Sequence, residues 1–411
     1  MNLVSTWLPE NVAALMRVLP ESITKFISQV TGFRFQVTGQ LVTCNLQLRP
    51  VKAQITNKYN AIGLMSGTSM DGVDVAFCHF EQRKKDWHFS IEEARTFTYS
   101  KTWKEKLSQA HLLSGEKLMQ LHSEYGFFLG RLCSEFIKKN RLTKIDLIAS
   151  HGHTVFHQPK NKFTFQLGNG NDIHAATGLP VVFDFRSLDV ALGGEGAPLV
   201  PIGDRFLFSE YDVCLNLGGI ANLSMEMKRK RKAFDVCFCN MGLNYLAAKA
   251  GKEFDTNGTL SSQGSVNKKL QSELNKVYST TRKKHPSLAR EGFENTIVPL
   301  LKGESISVTD RLRTFCESIA DEIAAAVPPS KKTSKILATG GGGRNKFLIQ
   351  LLRQKLSGHT EIVIPESTII DFKEALVFAF LGVLRVGGKV NVLKSVTGAS
   401  LNSCSGILVG N

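Results

Sequence analysis

Three glycine turns and a few carboxylates are the residues of this chain best suited to chemistry. The first turn reads Ser66-Gly67-Thr68-Ser69-Met70-Asp71-Gly72. Phosphate oxygens are held by backbone N–H groups, glycines let the chain approach them closely, and hydroxyls add donors. Asp71 supplies a carboxylate able to hold Mg2+ directly or through water, and Asp74 lies two residues beyond the last glycine. The spacing is neither that of a P-loop nor G-x-G-x-x-G, so a plain hairpin turn stays open as the alternative. The second turn is Gly218-Gly219 between Asn216 and Asn222, placed to meet the same phosphates from another part of the fold. The third, Gly340-Gly341-Gly342-Gly343, suits a base and ribose packed on bare backbone. Three such turns, each after its own strand, say more than any one alone.

Other polar clusters are weaker signals. His151, His153 and His157 lie close together, but Gly152 suggests a turn that would spoil a shared zinc-binding face. Cys237 and Cys239 form a C-x-C with no second pair at zinc spacing, which reads as packing in a reducing compartment. The formal net charge of +15 comes partly from short runs, Lys228 to Lys232, Arg282 to Lys284 and Lys331-Lys332. None is interleaved with stacking aromatics as in a nucleic-acid groove, so they read as solvated tips and loops. No stretch approaches a membrane span, and the most apolar run, Ala375 to Leu384, reads as a core helix.

The elements that must position these residues follow from pattern. The 411 residues suffice for two domains. Ala61–Met65 and Val73–Phe80 read as strands flanking the first turn, and Ile145–Ser150 as a strand ending in a turn at 151–154. Leu118, Leu121, Tyr125, Phe128, Leu132 and Phe136 mark a helix. Tyr211–Leu215 leads into the second turn. Leu312, Phe315, Ile319, Ile323 and Val327 mark a helix capped by Thr309 or Asp310 and stopped at Pro328-Pro329. A strand at 335–338, a helix at 347–356 and a strand at 362–364 surround the third turn. Residues 1–59 form an extension outside this pattern. Over residues 1–60 there are six Lys/Arg against two Asp/Glu, which resembles a targeting segment or a non-native addition.

The motifs together resemble the anhydro-N-acetylmuramic acid kinases of the actin/hexokinase/Hsp70 ATPase superfamily. Gly63 to Asp74 resembles the opening motif of that family, and Ser150-His151-Gly152-His153-Thr154 its S-H-G-x-T. Asp184-Phe185-Arg186 with Asp189, then Gly193 to Pro201, resembles its D-F-R-x-x-D…G-G-Q-G-A-P-L-V-P. Asn216 to Asn222 resembles N-I-G-G-I-A-N, Gly340 to Asn345 resembles G-G-G-x-x-N, and Glu374-Ala375 and Val396 to Ala399 resemble its C-terminal motifs. The resemblance runs in order over residues 61–410.

It implies an α/β, two-domain actin-like ATPase fold (ribonuclease H-like) with an interdomain ATP cleft. Domain I would span 60–190, completed by 375–411, and domain II 191–374. It also implies ATP-dependent phosphorylation of O6 of anhydro-N-acetylmuramic acid, with water opening the 1,6-anhydro ring, in peptidoglycan recycling. Asp235 in Phe234 to Asn240 is the candidate base, since a positioned carboxylate suits that task. Candidate ATP contacts are Gly67, Thr68, Ser69, Asp71, Gly72, Gly218, Gly219, Gly340, Gly341, Gly342 and Asn345, with Mg2+ at Asp71. Candidate sugar contacts are Thr154, Asp184, Arg186, Asn240 and Glu374. Asp184 and Arg186 can equally be a structural ion pair, Thr154 a turn hydroxyl, and Glu374 a helix-dipole charge. The implied partner is a small-molecule sugar, without nucleic acid or membrane, in the cytoplasm, with a homodimer left open.

Three departures bear on the sugar. Cys237-Phe238-Cys239 stands where the family has Gly-Pro-Gly, a bulkier turn expected to narrow or reshape the pocket. Glu195 stands for Gln, and residues 285–291 keep only the Arg-Glu end of P-K-S-T-G-R-E. A kinase of another sugar and a non-catalytic sugar or nucleotide sensor are the rival readings.

Overall fold

The computed structural model describes residues 34–38, 41–45 and 58–410, apart from 68–69, 285–286, 304, 330–332, 357 and 359. It separates into two compact units, residues 1–56 and 57–411. In the first, β1 (Arg34–Thr38) pairs antiparallel with β2 (Leu41–Asn45). The rest of the basic N-terminal segment lies outside the described residues.

In the second unit the chain builds one topology twice. β3 (Lys58–Ser66), β4 (Gly72–Arg83) and β5 (Asp86–Thr98) form an antiparallel meander. The helix Gly115–Lys139 follows, and β6 (Leu147–Gln158) then lies parallel to β3 on its far side. β7 (Phe163–Leu167) folds back on β6, β8 (Val181–Phe183) runs parallel to β6, and a strand from the end of the chain closes that edge. Later, β9 (Val213–Leu217), β10 (Ile220–Met227) and β11 (Lys230–Phe238) form a second meander. β12 (Ser334–Thr339) lies parallel to β9, β13 (Thr360–Val363) lies parallel to β12, and the order is β11-β10-β9-β12-β13. The closing strand of the first sheet is β14 (Ile407–Val409). Three antiparallel strands followed by a fourth and a fifth parallel to the first is the ribonuclease H-like plan. Its duplication is the actin-like ATPase fold. Parallel neighbours demand a crossover, so a helix intervenes before β6 and β12.

One helix ties the halves. Ser367–Val386 packs on β3, β4 and β6, and its residues 375–381 are almost wholly buried. At Gly63 a Cβ would lie 1.9 Å from the Ala375 carbonyl oxygen, so strand and helix touch backbone to backbone there. The same apolar cluster includes Cys214 of β9 and Leu337 of β12, so the core around the helix continues to the second sheet.

Three expectations change. β6 does not end at Ser150; it continues to Gln158, and Gly152, at φ +73°, sits inside it. A Cβ at Gly152 would lie 2.3 Å from the Leu167 carbonyl oxygen, so this glycine lets β7 close on the strand. The helix Val308–Ala326 is capped by Ser307, whose Oγ accepts from Asp310 N at 3.0 Å, rather than by Thr309 or Asp310. In the basic run only Lys228 and Arg229 form the hairpin tip, with φ of 50° and 62°. Arg231 is buried within β11, where strand alternation turns it inward, donating to Ser224.

Candidate functional site

The first glycine turn joins β3 to β4. Thr68 and Ser69 lie outside the described residues. Its flanks are held firmly: Ser66 is buried, and its Oγ shares hydrogen bonds with Tyr99 Oη at 2.7 Å and His153 Nδ1 at 3.0 Å. The far side of the turn is bonded through Tyr99 N, which donates to the Asp71 carbonyl at 3.3 Å. A Cβ on Gly72 would lie 2.4 Å from the Phe97 carbonyl oxygen, so only glycine lets β4 start flush against β5. Asp71 is left exposed. Asp74 is held by Thr96 Oγ1 at 2.6 Å. Burial raises its carboxyl, which the Thr96 bond opposes and the charges of Asp371 and Asp71 reinforce.

The second and third turns come together. Gly218-Gly219 is the hairpin between β9 and β10, and its carbonyls accept from Asn240 N at 3.1 Å and Cys239 N at 2.8 Å. Asn240 Nδ2 donates to the Leu217 carbonyl at 2.9 Å. Gly340, at φ +77°, follows β12, and a Cβ on it would meet Asn216 Oδ1 at 2.6 Å. Asn240 thus stands where both turns meet. Asn345 is buried, and its Oδ1 caps the helix Lys346–Lys355 by accepting from Leu348 N at 3.0 Å. Beside it, Arg344 pairs with Asp371 at 2.7 Å and so links the third turn to the Ser367–Val386 helix.

Arg186 does not form the ion pair with Asp184 that the sequence allows. Its Nε and a terminal nitrogen donate to His151 Nε2 at 3.0 and 2.9 Å, and its other terminal nitrogen to the Gly196 carbonyl at 2.6 Å. Asp184, at φ +53°, accepts from Ser187 N at 3.1 Å. Burial lowers the Arg186 guanidinium to about 10, with the charge of Glu374 acting against that. It stays cationic at neutral pH. Glu374 is open to solvent between crowded walls; desolvation raises its carboxyl, and the Arg186 charge opposes the rise. Burial drives the His151 imidazole well below its usual range, helped by the Arg186 charge, so it is the neutral acceptor. Among the described residues no group of three or more His, Cys, Asp or Glu is placed to hold a metal.

Asp189 was legible only as part of a motif, and the structure makes it the centre of one. Wholly buried, it accepts from Gly196 N at 2.8 Å and Thr397 Oγ1 at 2.7 Å. The Asp-Phe-Arg, Gly-Gly-Glu-Gly and Val-Thr-Gly segments therefore meet on one carboxylate.

Asp235 lies on β11, half-buried, and its Oδ2 accepts from Leu288 N at 2.8 Å. Burial raises its carboxyl, and that hydrogen bond partly offsets the rise. It is among the residues lining a cavity of about 670 Å3, with Lys232, Phe234, Arg282, Glu322 and Ser395. Arg282 Nε donates to the buried Glu322 carboxylate at 2.6 Å, which fixes that wall. Two of the other sugar candidates line different spaces: Thr154 a cavity of about 190 Å3 with His153, and Asp184 one of about 100 Å3 with His151. The expected narrowing by Cys237-Phe238-Cys239 does not appear. All three are buried in the apolar core of the second sheet, Phe238 packs 5.5 Å from Phe293, and none lines the cavity.

Comparison with known proteins converges on one family. The family model described as Anhydro-N-acetylmuramic acid kinase matches residues 59–410. An "Anhydro-N-acetylmuramic acid kinase" of Sulfurimonas denitrificans is 31% identical over 375 residues, covering 84% of this chain and 98% of that one. One of Vibrio parahaemolyticus is 34% identical over 363 residues, covering 84% and 97%. Solved structures are more distant. The activator of a 2-hydroxyisocaproyl-CoA dehydratase from Clostridium difficile, with bound ADPNP, is 12% identical, covers 80% of this chain and 97% of that one, and has a TM-score of 0.40. With its duplicated sheet plan and ordered motifs, the chain belongs to the anhydro-N-acetylmuramic acid kinase family.

Proposed function

We propose that this protein uses ATP to phosphorylate O6 of 1,6-anhydro-N-acetylmuramic acid while water opens the anhydro ring, in peptidoglycan recycling. The observation that carries the reading is Asp235: a half-buried carboxylate of raised pKa lining a cavity large enough for a sugar. In the step proposed, Asp235 takes a proton from water. The water oxygen bonds C1, the C1–O6 bond breaks, and O6 accepts the γ-phosphoryl group as ADP leaves. Such transfer is mainly positioning and charge stabilisation.

The triphosphate would lie between the first turn and the pair formed by Gly218-Gly219 and Gly340 to Gly342. Asp71 and Asp74 fit Mg2+: it favours one or two carboxylates plus phosphate oxygens, and it would offset both the burial that chiefly raises Asp74 and the lesser repulsion from Asp371 and Asp71. Mg2+ there would neutralise charge on the phosphates. Arg186 and Glu374, already coupled, would hold the sugar with Thr154, Asp184 and Asn240. Thr154 and Asp184 line spaces apart from the Asp235 cavity, so the reading requires the halves to close on the substrate, as lidded kinases do.

Turnover in 18O-water, quenched before the anomeric oxygen exchanges, tests the reaction. One 18O atom in the sugar and none in its phosphate is the expected product. A phosphorylated sugar without 18O makes this a simple sugar kinase, and absence of any phosphosugar turns the reading toward a sensor.

A further inference from the structure

A chain of buried hydroxyls stands behind the first glycine turn, and the proposed reaction does not use it. Tyr125, from the helix Gly115–Lys139, shares a hydrogen bond with Tyr99 through their phenol oxygens. Tyr99 Oη meets Ser66 Oγ at 2.7 Å, and Ser66 Oγ meets His153 Nδ1 at 3.0 Å. Tyr99, Tyr125, Ser66 and His153 are all buried. Side chains from the helix Gly115–Lys139, from the segment just after β5 and from β6 are thus joined through Ser66, the last residue of β3.

Tyr99 does more than continue the line. Its hydroxyl holds Ser66, the residue before the turn, and its backbone N–H holds the Asp71 carbonyl at the far side. One residue thus grips both flanks of the turn. Its ring lies among Tyr125, Phe128 and Trp103-facing aromatics, at 6.5 Å from Tyr125 and 6.2 Å from Phe128, so it cannot swing freely. The relay also stays uncharged: burial pushes both phenols up and lowers His153 to about 4. A buried polar network that is fully satisfied fixes one geometry, whereas a half-satisfied one does not.

We infer that Tyr99 is a positioning residue that holds the two flanks of the first glycine turn, Ser66 and Asp71, in place, with Tyr125 and His153 fixing the clamp from behind. This rests on the reading of that turn as the ATP phosphate loop. The hydroxyl belongs to no motif by which the chain was recognised. Fixing donors before the ligand arrives matters because small misplacements around a transferred group cost large factors in rate.

The test compares wild type with Tyr99→Phe and Tyr125→Phe, which remove hydroxyls and keep the rings. Hydrogen exchange at the amides of residues 67–71, without nucleotide, reads the clamp itself. Steady-state kinetics with each substrate varied read its consequence. Tyr99→Phe is expected to speed exchange at the turn and to lower kcat/KM for ATP by about tenfold or more, leaving KM for the sugar within about twofold. Tyr125→Phe should move both readouts in the same direction by less. In the double variant the effects should not add, because one cut already breaks the chain. Unchanged exchange in Tyr99→Phe overturns the clamp. So does an equal loss for both substrates accompanied by a fall in Tm, which marks a merely structural role; if Tyr99→Phe does not fold, Tyr125→Phe is judged by the same two readouts. A wild-type protein that binds no ATP defeats the kinase reading instead, and exchange at the turn still decides the clamp.

Discussion

At the scale of single residues, environment rather than type sets what the carboxylates can do. Asp235 and Asp74 are both raised chiefly by burial, but of the two it is Asp235 that lines the large cavity. Asp235→Asn should lower kcat by about 10²- to 10⁴-fold while ATP affinity, measured by calorimetry, stays unchanged. The pH dependence has a definite sign. A base must be ionised, so activity falls as pH drops through the raised Asp235 value, and the acid limb of the rate profile lies above the ordinary carboxylate range. Stability runs the other way. A carboxyl raised in the folded state stabilises below its unfolded pKa, and that contribution is lost as pH rises through the folded value. Asp235→Asn should therefore match or exceed wild type in Tm at pH 7, with the gain shrinking in acid. A flat acid limb together with near-normal turnover removes Asp235 from the base role.

At the scale of elements, the motifs are structural joints as much as ligand sites. Asp189 bonds two loops far apart in sequence, and a Cβ on Gly194 would lie 2.2 Å from its Oδ2. Asp189→Ala leaves Gly196 N and Thr397 Oγ1 buried without that acceptor, at about 1–3 kcal/mol each. Urea denaturation should show a loss of about 2–6 kcal/mol, and kcat/KM for the sugar should fall with it, because the Gly196 carbonyl anchors Arg186. A loss of stability without any change toward the sugar would separate this joint from the site. Gly63 shows the same economy. Its contact with Ala375 sets the depth at which the Ser367–Val386 helix lies, and so where the next residue back, Glu374, emerges.

At the scale of the molecule, a buried charged group holds the two sheets together. Asp204, on the short helix Pro201–Phe206, meets Lys373 Nζ at 2.8 Å and an Arg231 guanidinium nitrogen at 3.9 Å. Lys373 belongs to the helix against the first sheet and Arg231 to β11 of the second, and all three are buried. Desolvation alone would lower Lys373, but Asp204 leads the effects that carry it above its usual value, so it stays charged. Removing one partner of a buried pair costs more than the pair itself contributes. Asp204→Asn should lower unfolding free energy by about 3–5 kcal/mol, read as a shifted urea midpoint. A loss below ~1 kcal/mol would mean that the cations find other partners or lose their protons.

What the sequence by itself determined was the family and the kind of fold. Glycine turns, strand runs and the residues that flank them are local facts, fixed by backbone geometry and legible one segment at a time. Their order was enough to identify the kinase family and the actin-like ATPase fold. The repeated sheet plan came only through that resemblance and not as a repeat of fixed period, because topology can recur without recurring side chains. Tertiary structure alone decided partners and burial. It took Arg186 from Asp184 and gave it to His151 and Gly196, drew Arg231 out of a run that reads as solvated, and turned Cys237-Phe238-Cys239 away from the cavity into the core. It also carried β6 through the glycine expected to end it. Each of these depends on which distant segment packs alongside, and that is a property of the folded chain rather than of any stretch of it.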